Sequence, residues 1–309
     1  MSEPQQGTLP AGNIAIRAFL LLSTSAFLFA SNHILGRAVE GLVPPIGLSF
    51  WRWVVAFLLM LPFTHRELWA CRSIVYANWK RIAALTFFLA VMGNTGVYIA
   101  LNWTTAINGG IVATVQPVVT FALSWIFFRT QATRWQAVGL ALAISGVLTV
   151  LLRGDLRLLL TLDFNVGDLW MIVSVFGFAL YSVLLRNAPK GISSMVLLSL
   201  IQFFGIVLLA PFYLWESIYV MPMRADLVTA GSVLWAGVMV GIVAIAVWNQ
   251  GILYIGANKA SAFGYLRTIL VALLAILLLG EVLALHHIVA FALVVAGIYL
   301  VTGAKTKSG

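Results

Sequence analysis

Residues 25–37, SAFLFASNHILGR, match residues 174–186, SVFGFALYSVLLR, at an offset of 149 positions. Pro62-Phe63 recurs as Pro211-Phe212 at the same offset, and Gly146 recurs as Gly297 at an offset of 151. The chain therefore contains a duplicated unit of about 150 residues. Each unit holds five long apolar segments, so an odd number of membrane crossings separates equivalent positions. We expect residues 1–155 and 156–309 to form two five-helix repeats that are inverted relative to each other.

The composition is that of a membrane protein. Of the 309 residues, 62% are hydrophobic and only 9% are charged, and the mean hydropathy is +1.05. Soluble globular domains carry about 25% charged residues, so that class is excluded. Alternation with period 2, which is typical of membrane barrels, is absent. The sequence predicts an all-α integral membrane protein with ten transmembrane helices. We place them at residues 14–36, 44–63, 80–101, 107–128, 134–152, 167–185, 194–215, 231–255, 258–279 and 286–304.

Basic residues favour one side of this topology. With the N-terminus inside, twelve of the 18 Lys and Arg residues fall in cytoplasmic segments and four on the opposite side. This asymmetry predicts cytoplasmic N- and C-termini and a multi-pass protein of the inner, cytoplasmic membrane. It also accounts for the net charge of +9 without nucleic acid as a partner. The longest polar connection, at residues 64–79, has room for a short helix or a loop.

Two arginines, Arg52 and Arg267, lie deep within predicted helices, whereas all nine acidic residues fall in loops, tails or helix ends. An Arg at the centre of a membrane helix costs about 2.5–3.5 kcal/mol on insertion scales, so each is expected to face the protein interior or a hydrated cavity. A structural tie from the guanidinium to backbone carbonyls is the alternative to a binding role. The lack of carboxylates at helix centres leads to the hypothesis of facilitated movement without obligatory proton coupling.

Polar residues recur on single helix faces in both halves. Interhelical hydrogen bonding is the alternative explanation for each. In inverted repeats the ligand sits near the midplane between the halves, where these faces converge. Amides both donate and accept, so Gln116 and Asn249 are the foremost candidates. The full set of predicted substrate-binding residues is Asn32, His33, Tyr98, Trp103, Gln116, Tyr181, Trp248, Asn249, Tyr265 and Arg267.

Short motifs carry a resemblance to a known family. They are Arg52-Trp53-Val54-Val55-Ala56 in helix 2, Thr104-Thr105-Ala106 followed by Pro117 in helix 4, and Leu279-Gly280-Glu281 closing helix 9. With the duplicated five-helix units, they resemble the drug/metabolite transporter superfamily, EamA-type branch. Within it the chain is most similar to exporters of aromatic and other amino acids. Arg129-Thr130 stands where the first half of the family pattern has Gly-Glu, and Thr268 replaces the proline equivalent to Pro117.

The resemblance implies a central cavity among helices 1–4 and 6–9 and alternating access by rocking of the two halves. The expected function is facilitative export of small amphipathic metabolites, foremost aromatic or other amino acids. Multidrug or organic-cation efflux and a channel are the alternatives. The partners are then a small-molecule substrate and the lipid bilayer, and the protein is expected to be monomeric.

Other classes have little support in the sequence. A membrane-embedded enzyme usually clusters acids or histidines, whereas His286 and His287 are adjacent and cannot chelate as a pair spaced by four would. No ATP-binding loop of the form Gly-x-x-x-x-Gly-Lys-Ser/Thr occurs, so primary active transport is unsupported. We therefore expect no enzymatic activity, no metal and no cofactor.

Overall fold

A computed structural model describes residues 11–128, 133–155, 165–185, 187–255 and 263–303. Regular structure in these ranges is helical throughout, with no strand. Five helices belong to the first half: α1 Ala11–Ala38, α2 Pro45–Ala70, α3 Arg72–Leu101, α4 Ala106–Ala113 continuing as Gln116–Phe128, and α5 Arg134–Leu151. The second half contains α6 Val166–Leu185, α7 Ser194–Tyr219, α8 from Leu227 to Ile255, α9 Phe263–Leu279 and α10 Leu285–Gly303.

The helices agree with the sequence prediction in position and type. Eight of them, α1 to α8, are long and apolar enough to cross a membrane, and α9 and α10 contain shorter apolar helices. Ten crossings, the inverted orientation of the halves and the cytoplasmic termini stay predictions. Residues 1–10, 129–132 and 304–309 lie outside the described residues. They include both termini and Arg129-Thr130, which stands where the family pattern has Gly-Glu.

The connection at residues 64–79 differs from the expectation of a short helix or loop. α2 continues to Ala70 and α3 begins at Arg72, so the two helices meet at Cys71. This stretch contains neither Gly nor Pro, the residues that most often end a helix, and its backbone therefore stays helical on both sides of the turn. As a result α3 is 30 residues long.

π-Helical segments occur at equivalent positions of the two halves. Phe87–Thr95 forms one in α3, and Trp235–Ala244 forms one in α8 at an offset near 149. A π turn places one extra residue in the helix and changes the direction of the side chains that follow. In α3 the Asn94 side-chain amide donates to the Leu89 carbonyl at 2.8 Å, five residues back. The segment thereby positions Asn94 opposite α2.

The packing of the helices reflects the duplication, because equivalent helices of the two halves contact equivalent partners. α5 packs along α10, α2 along α7, α1 against α8 and α9, and α6 against α3 and α4. Gly146 of α5 and Gly297 of α10, which are equivalent in the repeat, lie where the two helices approach each other closely. A methyl group added to Gly297 would lie 2.5 Å from the Gly139 carbonyl oxygen, and one added to Gly146 would lie 2.6 Å from Val294.

The helix ends define two faces of the bundle. We call the side that carries residues 38–45, 101–106, 152–155, 165–168, 216–220 and 279–287 the capped face, because carboxylates cap helix ends there. The opposite side, with Arg66, Arg72, Lys80, Arg81, Arg134 and Lys190, is called the basic face. The charge distribution predicts that the basic face is cytoplasmic.

Candidate functional site

A hydrogen-bonded network joins α1, α2 and α3 in the half of the bundle nearer the capped face. The Arg52 guanidinium donates to the Tyr98 hydroxyl at 2.7 Å and to Asn94 Oδ1 at 3.0 Å. The Tyr98 hydroxyl in turn donates to Asn32 Oδ1 at 2.7 Å. The guanidinium carbon also lies 4.7 Å from the centre of the Trp53 ring. Arg52, Tyr98 and Asn32 are thus neighbours, and all three are buried.

These contacts explain how Arg52 is tolerated within the membrane. Two charge-assisted hydrogen bonds and an aromatic face replace the water that a guanidinium would lose there. The partners are side chains and not the backbone carbonyls expected for a structural tie. Because Tyr98 and Asn32 are already engaged with Arg52 or with each other, the network holds three helices in register in this conformation.

The other interior arginine, Arg267 on α9, is in a different situation. Its side chain is partly enclosed, yet it forms no hydrogen bond or ion pair with any described residue. It lies about 18 Å from the end of α9 at Leu279, at 1.5 Å per residue, which is close to half the depth of a bilayer core. Arg267 therefore places near the midplane a positive charge that has no partner among the described residues.

His33 on α1 lies within electrostatic range of Arg267 and about 8 Å from the end of α1 at Ala38, so it is nearer the capped face than Arg267. Its Nδ1 is 3.1 Å from the Phe29 carbonyl oxygen, so Nδ1 carries the proton that makes this hydrogen bond. The buried Nε2 has no hydrogen-bond partner among the described residues. In the neutral ring Nε2 is an acceptor. His33 thus offers an acceptor in the neighbourhood of a cation.

Three further predicted residues lie at a depth similar to that of Arg267. Gln116 is about 15 Å from the start of α4, Tyr265 about 21 Å from the end of α9, and Tyr181 about 22 Å from the start of α6, at 1.5 Å per residue. All three side chains are partly buried. Gln116 and Arg267 are equivalent in the repeat at an offset of 151, so each half supplies one polar side chain at the same level.

The remaining predicted residues lie elsewhere. Trp103 is 64% exposed at the capped face, beyond the end of α3, and is not among the interior groups. Trp248 is partly buried about 30 Å along α8 from Leu227, nearer the basic face than Arg267. The side chain of Asn249 lies outside the described part of the structure.

A second buried network closes the capped face. The Thr104 hydroxyl donates to Asp168 Oδ1, and the Asn108 amide donates to the Thr104 hydroxyl at 3.3 Å. His287 Nε2 lies 2.8 Å from Asn108 Oδ1, while its Nδ1 accepts the Ala284 amide at 2.9 Å. The His287 proton is therefore on Nε2, donated to Asn108. The chain of contacts links α6, α4 and α10 at one level.

Two carboxylates cap helix N-termini on the same face. Glu216 at the end of α7 accepts the backbone amides of Ile46 and Gly47, at 3.1 and 2.7 Å, at the start of α2. Glu281 after α9 accepts the amides of Ala106 and Ile107, at 2.7 and 2.9 Å, at the start of α4. Each cap joins the second half of the chain to the first half. A carboxylate also interacts favourably with the positive end of the helix dipole.

Sequence reasoning missed the network of Thr104, Asp168, Asn108 and His287. It treated the histidine pair only as a failed chelator and the acidic residues only as helix-end groups. The available signal was that Asp168, Glu281 and His287 all fall at helix ends that the predicted topology brings to one face.

Among the described residues, no group of three His, Cys, Asp or Glu side chains could hold a metal ion.

The fold and its interior arginines define a helical membrane protein whose polar groups are gathered inside the bundle. The sequence model of the EamA-like transporter family matches residues 16–152 and, a second time, residues 165–303, and the chain belongs to this family. That resemblance is confirmed, whereas the likeness to amino-acid exporters stays a prediction. Membership of this family identifies the chain as a membrane transporter.

Relatives from bacteria and a mammal are named as transporters or solute carriers. An uncharacterized transporter of Bacillus subtilis, YyaM, is 25% identical over 291 residues, which cover 92% of this chain and 92% of that protein. YetK of the same species is 24% identical over 315 residues, covering 96% and 91%. Mouse solute carrier family 35 member G1 is 27% identical over 129 residues, covering 41% of this chain and 33% of that protein.

One solved crystal structure has the same fold. It is 18% identical in sequence, with a TM-score of 0.55, over 94% of this chain and 95% of the other.

Proposed function

We propose that this transporter is a facilitative exporter of small amphipathic metabolites, with aromatic and other amino acids as its substrates. It works by alternating access between the two faces of the bundle. The two halves, each matched by the same family, would rock about a substrate held near the midplane.

The observation that carries the proposal is the guanidinium of Arg267, which has no hydrogen-bond or ion-pair partner among the described residues, within electrostatic range of His33, whose buried Nε2 has no such partner either. An amino acid presents a carboxylate, which a guanidinium binds, and an ammonium group, which an imidazole nitrogen can accept. A cation with no carboxylate partner also repels organic cations and favours anionic groups. The two groups together suit a zwitterion better than a cationic drug.

The neighbouring side chains suit the rest of such a substrate. Tyr181 and Tyr265, at the depth of Arg267, offer aromatic surface to an apolar or aromatic side chain. Gln116, the counterpart of Arg267 in the first half, can donate and accept. The site therefore combines one charge, one amide and apolar surface, which is the composition expected for a small-molecule site.

Alternating access is supported by the difference between the two faces. At the capped face, Glu216 and Glu281 each connect the second half to the first, and the network around Asp168 lies at the same level. We infer that this conformation is closed at the capped face. Export would then require these contacts to open after substrate enters from the basic face.

The proposed energetics need no proton relay. The described carboxylates within spans, Glu67, Asp168 and Glu216, all lie within four residues of a helix end. Glu67 is exposed at the basic face, whereas Asp168 and Glu216 accept hydrogen bonds at the capped face. We found no carboxylate at the depth of Arg267 among the described residues. Substrate gradients alone would drive movement.

Flux of radiolabelled aromatic amino acids in liposomes that contain only this protein tests the proposal. The wild-type chain should show saturable flux and counterflow, and Arg267→Gln should lower the rate at least about tenfold through loss of a charged hydrogen bond. Arg17→Gln, which removes an exposed charge from α1, is the matched control and should leave the rate unchanged.

Four results would overturn parts of the proposal. Unchanged flux in folded Arg267→Gln would remove the assigned role of the guanidinium. Transport of ethidium but not of amino acids would favour cation efflux, and flux without saturation or counterflow would favour a channel. Uphill accumulation driven by a pH gradient alone would contradict uncoupled transport.

A further inference from the structure

A cleft of about 540 Å³ opens at the basic face between α3 and the segment that follows α6. Its polar rim has two cations and two amides, from Asn78, Arg81, Asn187 and Lys190. Its apolar part is lined by Ala84, Leu85, Leu184, Ala188 and Pro189. The lining of the cleft thus combines two cations and two amides with apolar side chains.

The two cations are free to bind an anion. Arg81 and Lys190 are exposed, and neither forms an ion pair or hydrogen bond with a described residue. None of the residues that line the cleft is acidic. Two unpaired positive charges around one cleft, with neutral amides beside them, are complementary to a phosphate group.

The cleft also lies at the level of lipid headgroups. α3 is 30 residues long, about 45 Å at 1.5 Å per residue, so its first turns extend beyond a hydrocarbon core of about 30 Å. Trp69, Tyr76 and Trp79 are exposed around these turns, at 72%, 79% and 50%. Exposed Trp and Tyr mark the interface between hydrocarbon and water. Ala84, which is half-buried, lies further along α3, toward the hydrocarbon.

We propose that this cleft is a binding site for an anionic phospholipid. Arg81 and Lys190 pair with the phosphodiester, Asn78 and Asn187 offer hydrogen bonds to the headgroup, and the apolar part contacts the upper acyl chain. A free phosphate or a small anionic solute would meet the same rim but would gain nothing from the apolar part. The combination of cationic and apolar lining therefore favours a lipid.

The site is separate from the proposed substrate site. Its lining comes from α3, the end of α6 and the segment after α6. Arg267, His33 and Gln116 lie on α9, α1 and α4. Lipid binding can therefore succeed or fail independently of amino-acid transport.

Native mass spectrometry of the full-length, delipidated protein tests this inference. Dioleoyl phosphatidylglycerol is titrated in, with dioleoyl phosphatidylcholine as the neutral lipid and inorganic phosphate and glycerol 3-phosphate as competitors. The test variant is Arg81→Gln/Lys190→Gln. The control variant is Arg72→Gln/Lys80→Gln, which removes the same charge from α3 outside the cleft. Thermal unfolding and size-exclusion profiles verify that both variants are folded.

One phosphatidylglycerol should bind more tightly than phosphatidylcholine. A cation near a membrane surface changes affinity by roughly fivefold, so the test variant should lose about 25-fold and the control variant little. Equal losses in the two variants would show general surface attraction and overturn the site. Equal binding of the two lipids, or displacement of the lipid by millimolar phosphate or glycerol 3-phosphate, would also overturn it.

Discussion

The hydroxyl groups of Thr114 and Thr268 lie 2.7 Å apart, and they join α4 of the first half to α9 of the second. Both also lie within hydrogen-bonding distance of the Gly110 carbonyl oxygen, at 2.9 and 3.2 Å. Thr268 occupies the position where a proline equivalent to Pro117 was expected. A proline would remove a backbone donor from α9, whereas the threonine keeps that donor and adds a contact between the halves.

Replacing Thr268 by Val tests this contact, because valine keeps the branched shape and removes only the hydroxyl. Interhelical hydrogen bonds in membrane proteins average about 0.6 kcal/mol, so we expect a loss of unfolding free energy of that order. Reversible unfolding in micelles measures it, in a double-mutant cycle with Thr114→Val. Thr149→Val is the control, since that hydroxyl donates to Ser145 in its own helix. Coupling indistinguishable from zero would contradict the prediction.

Tyr98→Phe should lower the free energy of unfolding more than Thr268→Val does. The change leaves one Arg52 nitrogen and the Asn32 oxygen without their partner inside the bundle, and an unsatisfied buried polar group costs about 1–3 kcal/mol. The same unfolding measurement applies. Tyr76→Phe removes a hydroxyl from a side chain that is 79% exposed and should have little effect. Similar stabilities of the two variants would argue against a structural role for the network.

Much of the fold was predictable because membrane insertion imposes a simple pattern. Long apolar runs gave the positions of the helices, and the repeat of Gly146 as Gly297 anticipated that α5 and α10 hold equivalent places. The junction at Cys71 was not anticipated, because the low hydropathy of residues 64–79 was taken as a sign of a short helix or a loop between two separate spans. A polar stretch without Gly or Pro can remain helical outside the hydrocarbon.

The candidate site was only partly predictable. Arg52 and Arg267 were conspicuous because both lie deep within predicted helices, where charges are costly. The sequence did not show that Arg52 has hydrogen-bond partners whereas Arg267 has none among the described residues. The partners of Arg52 depend on which helix faces bring Tyr98 and Asn94 to α2. The Asp168 network was missed for the same reason: its four members come from α4, α6, α10 and the connection between α3 and α4.

Close packing of α5 against α10 predicts a clear effect of added volume. Gly297→Ala places a methyl group against backbone atoms of α5, which cannot move as a flexible side chain can. The helices must separate, at a cost of about 1–3 kcal/mol. Gly231→Ala in α8 is the control, because nothing lies within 4 Å of the added methyl group and alanine favours helix. Thermal unfolding should show opposite shifts for the two variants, and a neutral Gly297→Ala would contradict the packing described.

The single cysteine should react slowly. Burial raises the pKa of the Cys71 thiol above its usual value, and Ile82, Val196 and Leu200 pack around it. Because the thiolate is the nucleophile, alkylation by N-ethylmaleimide at pH 7.5 should be at least about tenfold slower than at an exposed position. Tyr76→Cys in a Cys71→Ser background provides that reference. Raising the pH should accelerate Cys71 labelling well beyond the pH at which the reference levels off, and equal rates would contradict the burial.

The carboxylate caps should control the opening of the capped face. Glu281→Gln removes a charge from the start of α4, where a cap and a helix dipole together contribute about 1 kcal/mol. If the cap exists only in the closed state, the open population should rise about fivefold.

Ile107→Cys in a Cys71→Ser background reports this as faster labelling by a membrane-impermeant maleimide, because Ile107 is buried in the closed state. Glu67→Gln is the control: Glu67 is the repeat equivalent of Glu216, at an offset of 149, and it is exposed. Unchanged labelling in Glu281→Gln, accompanied by lower stability, would mean that the cap stabilises α4 without holding the face closed.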